Sequence, residues 1–189
     1  MDDVCKGCHL GEAARTMHVK PRAHGLPHDA VMIIGEAPGN SEDVEGHAFV
    51  GRAGKLLDEF IEAAELEHYY ITNIVKCFPA KDGKPRKPTK KEIDRCKCFL
   101  AAEIDSIKPK AIVTLGNSST GALTGEFAGI SKTCGKPRHF NSEPLLGGEH
   151  TCTLIPCLHP SAVLRSGKNP EKVRKCVEAL SLARKIAEN

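Results

Sequence analysis

The chain has 189 residues, with 27 basic and 24 acidic side chains and a formal net charge of +3. Apolar residues make up 40% and charged residues 27%, as in ordinary globular proteins, so extended disorder and collagen-like repeats are excluded. No apolar run approaches the roughly 20 residues that span a bilayer, and Met1-Asp2-Asp3 lacks the basic start of a secretory signal. We therefore expect one domain, residues 1–189, that is cytoplasmic and associated with the nucleoid.

Strands and helices alternate along the chain. Residues 31–35 form an apolar run ending in glycine and predict a strand, and apolar residues at helical spacing predict a helix over residues 51–66. The other predicted elements are strands at 70–75, 111–115 and 153–158 and helices at 89–107, 117–123 and 170–187. Thr89 is the expected N-cap of its helix, because Glu92 follows three residues later.

This alternation predicts an α/β fold, a three-layer α/β/α sandwich around a short, mainly parallel four-stranded central sheet. Residues 124–151 are expected to form an irregular or hairpin insertion. In such sheets ligands bind at the carboxyl ends of the strands, so the residues that follow each strand carry the functional prediction.

Polar residues lie near the carboxyl end of every predicted strand. The segments are GEAPG at 35–39 with Glu42-Asp43 and FVGRAG at 49–54, then Asn73 ahead of Lys76-Cys77, LGNSS at 115–119, and HPSAVLR at 159–165. None of them is a Gly-x-Gly-x-x-Gly loop, and none carries the lysine of a phosphate-binding P-loop. A dinucleotide-dependent oxidoreductase or a nucleoside triphosphatase is therefore a distant alternative.

Nine cysteines are present, an odd number without an export signal, which favours metal ligands or buried thiols over disulfides. Cys5 and Cys8 form a Cys-x-x-Cys, Cys77 follows a predicted strand, and Cys96 and Cys98 lie on a predicted helix. The remaining four are predicted to be structural: Cys134, Cys152, Cys157 and Cys176.

A basic loop lies between Cys77 and Cys96. Six basic residues fall within eleven positions against one acid, Asp82: Lys81, Lys84, Arg86, Lys87, Lys90 and Lys91. Such a loop either contacts phosphates or is a solvated entry to the helix, and the charge pattern fits both.

Six motifs follow one another along the chain: GEAPG with ED, FVGRAG, ITNIVKC, a CxxFL-like helix, TLG and HPSAVLR. In this order they resemble the iron-sulfur uracil-DNA glycosylases of family 4. The resemblance runs from Cys5 to Arg165, and several motifs in register are far more specific than any one of them. It implies a monofunctional glycosylase that flips uracil out of single- or double-stranded DNA and hydrolyses its N-glycosidic bond, leaving an abasic site.

The resemblance implies a base pocket lined by the backbone of Gly35, Glu36 and Ala37 and closed by the Phe49 ring. The amide of Asn73 has a donor and an acceptor, which suit O4 and N3–H of uracil and fit cytosine badly. His159 is implied to donate, while neutral, to the charge that develops on the departing base. Ala37 replaces the aspartate of better-known uracil glycosylases, so Glu36, as the nearest carboxylate, is a candidate for orienting water, and Asn73 or ordered backbone are the alternatives.

Further roles follow from the same resemblance. Glu42 is implied to exclude the 5-methyl group of thymine. Leu164 would enter the duplex as an apolar wedge, and Ser161 and Arg165 would contact DNA. Arg86 and Lys87 of the basic loop are candidates for phosphate contacts, and the protein is expected to be a monomer. These additional candidates are Glu42, Ser161, Leu164, Arg165, Arg86 and Lys87.

The resemblance also places a [4Fe-4S] cluster on Cys5, Cys8, Cys77 and Cys96, where it would have a structural role. Cys98 lies two residues from Cys96 and is an alternative fourth ligand. Zinc uses the same four-thiolate donor set, so both metals stay open at this point.

Other functions fit parts of the pattern. A related iron-sulfur class with broader base tolerance lacks the glutamate and asparagine found here as Glu36 and Asn73. A relative that traps its product through a histidine is disfavoured, because no histidine lies between Cys77 and Cys96. A non-catalytic iron-sulfur or zinc module that only binds DNA is the alternative from a different class.

Overall fold

The computed structural model describes residues 2–25, 30–126, 129–143 and 147–189. The helices are α1 (Asp2–Cys5), α2 (His9–Ala13), α3 (Asn40–Glu45), α4 (Arg52–Ala63), α5 (Lys90–Ile107), α6 (Asn117–Thr124), α7 (Ile130–Thr133), α8 (Pro160–Arg165) and α9 (Pro170–Glu188). The strands are β1 (Arg22–His24), β2 (Val31–Gly35), β3 (Tyr69–Asn73), β4 (Ala80–Lys81), β5 (Lys84–Pro85), β6 (Ala111–Leu115), β7 (Arg138–Asn141) and β8 (Thr151–Cys157). Within these ranges, no helix combines the length and apolar character needed to cross a membrane.

The main sheet has six strands in the order β1-β3-β2-β6-β8-β7. Its four central strands are parallel and correspond to the four predicted strands, so the predicted parallel core is confirmed. The predicted count of four is too low, because β1 pairs antiparallel with β3 and β7 pairs antiparallel with β8 at the two edges. Strand β7 lies within the stretch expected to be an insertion.

Successive side chains of each central strand pack on opposite faces of the sheet, as the pleat requires. Val31 and Ile33 of β2 join one core with α4 and α9, whereas Met32 and Ile34 join a second core with α5. All four side chains are fully buried. Helices therefore cover both faces, and the predicted three-layer sandwich is confirmed.

Helix α5 begins where the sequence predicts. The Thr89 hydroxyl accepts from the Glu92 N–H at 3.3 Å, and the Thr89 N–H donates to the Glu92 carboxylate at 2.7 Å. This reciprocal cap satisfies two backbone donors that a helix N-terminus otherwise leaves unpaired. It also sets the direction in which α5 carries Cys96 toward the N-terminal segment.

Candidate active site

The ends of β2 and β3 bring three predicted residues together. Gly35 and Asn73 are paired in register at the carboxyl ends of their strands. A Cβ atom on Gly35 would collide with Oδ1 of Asn73 and would lie 2.6 Å from Cζ of Phe49. Only glycine leaves room for the amide and the ring to meet at this strand end, so the three residues meet where the sequence predicts the base pocket.

Phe49 is held in an unusual backbone conformation. Its φ of +54° lies in the left-handed region, which is strained for a bulky side chain. The backbone of Phe49 packs directly onto Gly54 in the first turn of α4, where a Cβ would overlap the Phe49 carbonyl. The two glycines and the turn aim a 5% exposed ring at the end of β2.

Asn73 presents a buried amide that its surroundings do not satisfy. Its side chain is 3% exposed, and Oδ1 has no hydrogen-bond partner in the part of the chain that the structure describes. The backbone carbonyl of Asn73, in contrast, accepts from Nζ of Lys76 at 2.7 Å. A buried acceptor without a partner is costly, so this oxygen is suited to an N–H donor that a ligand supplies.

His159 caps helix α8 and has a defined tautomer. The backbone N–H of Ser161 donates to Nδ1 at 3.1 Å, so Nδ1 is an acceptor and the proton of the neutral ring is on Nε2. Burial, and to a smaller extent the charge of Arg165, lower the pKa of His159 to about 4, while Glu42 opposes the shift. The ring is therefore neutral at pH 7 and carries one N–H donor, with its centroid 6.0 Å from that of Phe49.

Glu42 joins two loops of the pocket rim. One carboxylate oxygen accepts from the Gly39 N–H at 3.0 Å and the other from the Gly51 N–H at 2.9 Å. The residue is 9% exposed, so both bonds are shielded from water. Glu42 thereby ties the GEAPG loop to the start of α4, a structural contact that sequence reasoning missed.

The GEAPG loop makes backbone contacts with the residues that directly follow β3. The carbonyls of Gly35 and Glu36 accept from the N–H groups of Ile74 and Val75 at 3.0 and 3.2 Å, so this part of the backbone predicted to line the pocket is fixed to the end of β3. The Glu36 side chain is half-buried, and Ala37 packs against the core on the α5 side of the sheet.

The residues predicted to contact DNA lie in two places. On α8, Arg165 is exposed, Ser161 is half-buried, and Leu164 is half-buried and packs partly against the core with α4 and α9. In the basic loop, Lys87 is exposed. Arg86 forms two bonds to Glu92, at 2.6 and 2.8 Å, so its guanidinium already has an acidic partner.

Cys5, Cys8, Cys77 and Cys96 line one small apolar cavity between α2, the segment after β3, and α5. The backbone N–H of His18 donates to the Cys77 sulfur at 3.4 Å, and that of Lys76 donates to the Cys96 sulfur at 3.3 Å. Cys98 is exposed, and its sulfur contacts the Arg95 carbonyl at 3.5 Å instead. Helical geometry explains the difference, since positions two residues apart point to different faces.

Burial raises the pKa of Cys77, and it raises that of Cys96 to about 12. Thiolates at these positions therefore require cationic partners, which iron or zinc ions supply. Among the described side chains, no three His, Cys, Asp or Glu residues are placed closely enough to bind a single metal ion. Four cysteine side chains around one cavity are the donor set of a four-thiolate site, which either an iron-sulfur cluster or a zinc ion can use.

Sequence reasoning missed one buried charge beside the pocket. Lys76 is 4% exposed, and its ammonium bonds Oγ1 of Thr72 at 2.8 Å, the Asn73 carbonyl at 2.7 Å and the Glu103 carboxylate at 2.7 Å. The lysine stood within the ITNIVKC motif, but only the packing of α5 against β3 identifies its partners.

Comparisons with known proteins identify relatives over most of the chain. A model of the uracil DNA glycosylase superfamily matches residues 23–181. The chain is 40% identical over 181 residues to the type-4 uracil-DNA glycosylase of Sulfurisphaera tokodaii, covering 92% of this chain and 76% of that protein. It is 40% identical over 162 residues to the enzyme of the same name from Saccharolobus solfataricus, covering 80% and 71%. The type-4 uracil-DNA glycosylase of Archaeoglobus fulgidus is 39% identical over 176 residues, covering 87% and 83%.

Proposed function

The chain belongs to the uracil-DNA glycosylase superfamily, and we propose on that premise that it flips uracil out of DNA and hydrolyses the bond between uracil N1 and the sugar. The observation that carries the proposal is the corner formed by the Phe49 ring, the unpaired Asn73 amide and the neutral His159. These groups supply a stacking surface, a reader of the base edge and a donor. Extruded bases are recognised and activated by groups of this kind.

Asn73 selects the base. Its buried Oδ1 accepts N3–H of uracil and its NH₂ group donates to O4, whereas cytosine presents an acceptor and a donor in the opposite places. Since Asn73 is 3% exposed and its Oδ1 has no protein partner in the described residues, a mismatched base leaves this oxygen unpaired. Discrimination of this type is large, because the penalty of an unsatisfied buried group is added to the lost bond.

His159 stabilises the departing base. As the N1–C1′ bond breaks, its electron pair goes to uracil, and negative charge spreads to the base oxygens while the sugar becomes cationic. The Nε2–H of the neutral imidazole donates to this charge, with the ring held by the bond from Ser161 to Nδ1. A preorganised donor of this kind lowers the barrier by about 3 kcal/mol.

Water completes the reaction by attacking C1′ and losing a proton. We assign the orientation of this water to Glu36, the carboxylate of the GEAPG loop. Glu42 has a different role, the exclusion of thymine. Its bonds to Gly39 and Gly51 hold the rim loops together, and a rim that cannot widen disfavours a base with a 5-methyl group.

DNA is bound as a single strand or a duplex, by a monomer, through two surfaces. Leu164 fills the space that the flipped base leaves, and Ser161 and Arg165 contact the neighbouring backbone. Lys87 contacts phosphate directly from the basic loop. Arg86 is assigned to the same surface, and its charge is shared with Glu92.

Cys5, Cys8, Cys77 and Cys96 are assigned as ligands of a [4Fe-4S] cluster, supported by their shared cavity and by the N–H groups that donate to two of the sulfurs. When bound, the cluster joins the N-terminal segment to α5 and steadies the basic loop between Cys77 and Cys96. Iron and sulfide analysis of anaerobically purified Cys96→Ser and Cys98→Ser variants tests the assignment. We expect loss of the cluster in the first and retention in the second, and four-thiolate zinc in the native protein would refute it.

Single-turnover release of free uracil from a duplex with one U:G pair tests the proposed function. U:A, T:G and hypoxanthine substrates run alongside, and the released base is identified directly. We expect free uracil, little release from T:G and hypoxanthine, and a loss on the order of 10²–10³ in His159→Ala. The matched control is His139→Ala, an exposed histidine on β7.

A non-catalytic DNA-binding module is the competing function. It predicts that the native protein binds U:G duplex with an intact cluster and releases no base. It also predicts that Asn73→Asp and His159→Ala leave binding unchanged, so the same preparations separate the two functions.

A further inference from the structure

Three cysteines lie together near the end of β8 and have no part in the proposed reaction. Cys157 ends β8, Cys176 lies on α9, and Cys134 directly follows α7. Cys134 packs against the core that contains Cys157 and Cys176, and the Cys157 thiol interacts with both of the other thiols. Cys157 and Cys176 are fully buried, whereas Cys134 is half-buried and accessible at the edge of this core.

Backbone contacts hold two of these thiols side by side. The Gly135 N–H donates to the Pro156 carbonyl at 2.8 Å, which joins the residue after Cys134 to the residue before Cys157. Cys134 is also fixed by its own N–H, which donates to the Ile130 carbonyl at 2.9 Å. The two sulfurs are therefore neighbours because of the fold, even though 22 residues lie between them in the sequence.

The two thiols differ in chemistry. The neighbouring Cys157 thiol lowers the pKa of Cys134 to about 7, with smaller contributions from the Leu158 backbone and the charge of Lys175, while burial opposes the shift. The pKa of Cys157 is raised by its bonded neighbours and by burial, so Cys157 stays protonated. An accessible thiolate beside a protonated thiol is the arrangement found at peroxide-reactive cysteine pairs.

We propose that Cys134 and Cys157 form an oxidation site that takes hydrogen peroxide and closes to a disulfide. The Cys134 thiolate attacks one peroxide oxygen, the O–O bond breaks, hydroxide leaves, and Cys134 becomes a sulfenic acid. The Cys157 sulfur then attacks the Cys134 sulfur, the S–O bond breaks, and the Cys157 proton leaves with that oxygen as water. Overall two thiols are oxidised and one peroxide is reduced to two molecules of water.

The disulfide lies close to the pocket. Cys157 is two residues before His159, and its carbonyl accepts from the Gly116 N–H at 2.8 Å. Covalent closure requires the two sulfurs to lie about 2.0 Å apart. We expect this closure to shift the turn from β8 into α8, and with it His159. On the proposed function, oxidation slows uracil release several-fold, and a thiol reductant restores it.

Peptide mass analysis tests the site without relying on activity, which is necessary because peroxide also attacks iron-sulfur clusters. The protein is treated with equimolar hydrogen peroxide, its free thiols are alkylated, and it is digested with trypsin. We expect residues 133–138 linked to residues 139–165, with the loss of two hydrogens and reversal by reductant. The second peptide also contains Cys152, so the Cys152→Ser variant makes the linkage unambiguous.

Cys152→Ser is also the matched control. Cys152 lies on the same strand, and burial raises its pKa to about 12, so its removal should leave the yield of linked peptide unchanged. In Cys157→Ser, the Cys134 sulfenic acid should persist and be captured by dimedone. Cys134→Ser should form no linked peptide. Because this variant changes a half-buried residue, it tests the site even if Cys157→Ser does not fold.

Three results would overturn the proposal: Cys134 unmodified while Cys98 is oxidised, a linkage that uses Cys152 or Cys176, or a linked peptide that survives Cys134→Ser. None of these depends on base release. Failure of the oxidation site is thus distinguishable from failure of the proposed function.

Discussion

Replacement of Lys76 by methionine removes a buried charge that joins β3 to α5. The side chains of Lys76 and Glu103 are 5% and 17% exposed, and their charged groups lie 2.7 Å apart. Burial lowers the pKa of Lys76, and Glu103 opposes that shift, so the carboxylate is what makes a buried ammonium tolerable. Methionine keeps most of the volume and leaves the carboxylate without its cation.

The cost follows from the contacts that are lost. Breaking one partner of a buried ion pair costs about 3–5 kcal/mol. Tyr70 lies beside Glu103 and interacts with its carboxylate, so the carboxylate keeps one polar neighbour and the expected loss is at the lower end, about 3 kcal/mol. For a domain of this size each kcal/mol moves Tm by about 2–4 °C, which predicts a fall of about 6–12 °C.

Far-UV circular dichroism is the suitable assay, because the chain has no tryptophan and only two tyrosines. Lys55→Met, an exposed lysine on α4, is the matched control and should shift stability by less than about 0.5 kcal/mol. The double variant Lys76→Met/Glu103→Gln should recover at least about 1 kcal/mol, since the uncompensated charge is gone. If Lys76→Met matches the control, or if the double variant is no better than the single one, the reasoning is refuted.

Three further predictions concern the pH dependence of uracil release, the pH dependence of stability, and the steric room beside Gly35. Single-turnover uracil release should show no ionisation near pH 6.5 and should fall as pH drops through about 4, because protonating Nδ1 of His159 breaks its bond from Ser161; a midpoint near 6.5 would contradict this. Arg86 lowers the pKa of Glu92 to about 2, so the ion pair between the two residues stabilises the fold above pH 4.5, and this stabilisation is lost as pH falls toward 2. Glu92→Gln should therefore cost ~1 kcal/mol in urea unfolding at pH 7 and almost nothing at pH 2, and an equal cost at both would exclude this origin. Gly35→Ala should slow uracil release more than tenfold, because its Cβ would lie 2.6 Å from Phe49 Cζ; an unchanged rate would show that the ring has room to move.

The parallel core and the strand ends were predictable from the sequence by itself. Four apolar runs between helical patterns require a parallel sheet covered on both faces, and a parallel sheet places its carboxyl ends along one edge. Gly35, Asn73 and the segment leading to His159 could therefore be assigned to one site before any contact was known. The cap of α5 was equally local, because Thr89 and Glu92 are three residues apart.

Edge strands and buried partners depended on the tertiary structure. Strand β1 has three residues, none of them buried, so no apolar period marks it, and it is a strand only because β3 offers an unpaired edge. Lys76 with Glu103 and Cys134 with Cys157 are 27 and 23 positions apart, and neither residue of a pair carries a local sign of the other. Local periodicity reports which face of an element is apolar, whereas contacts between distant side chains are decided by how those faces pack, which only the assembled fold determines.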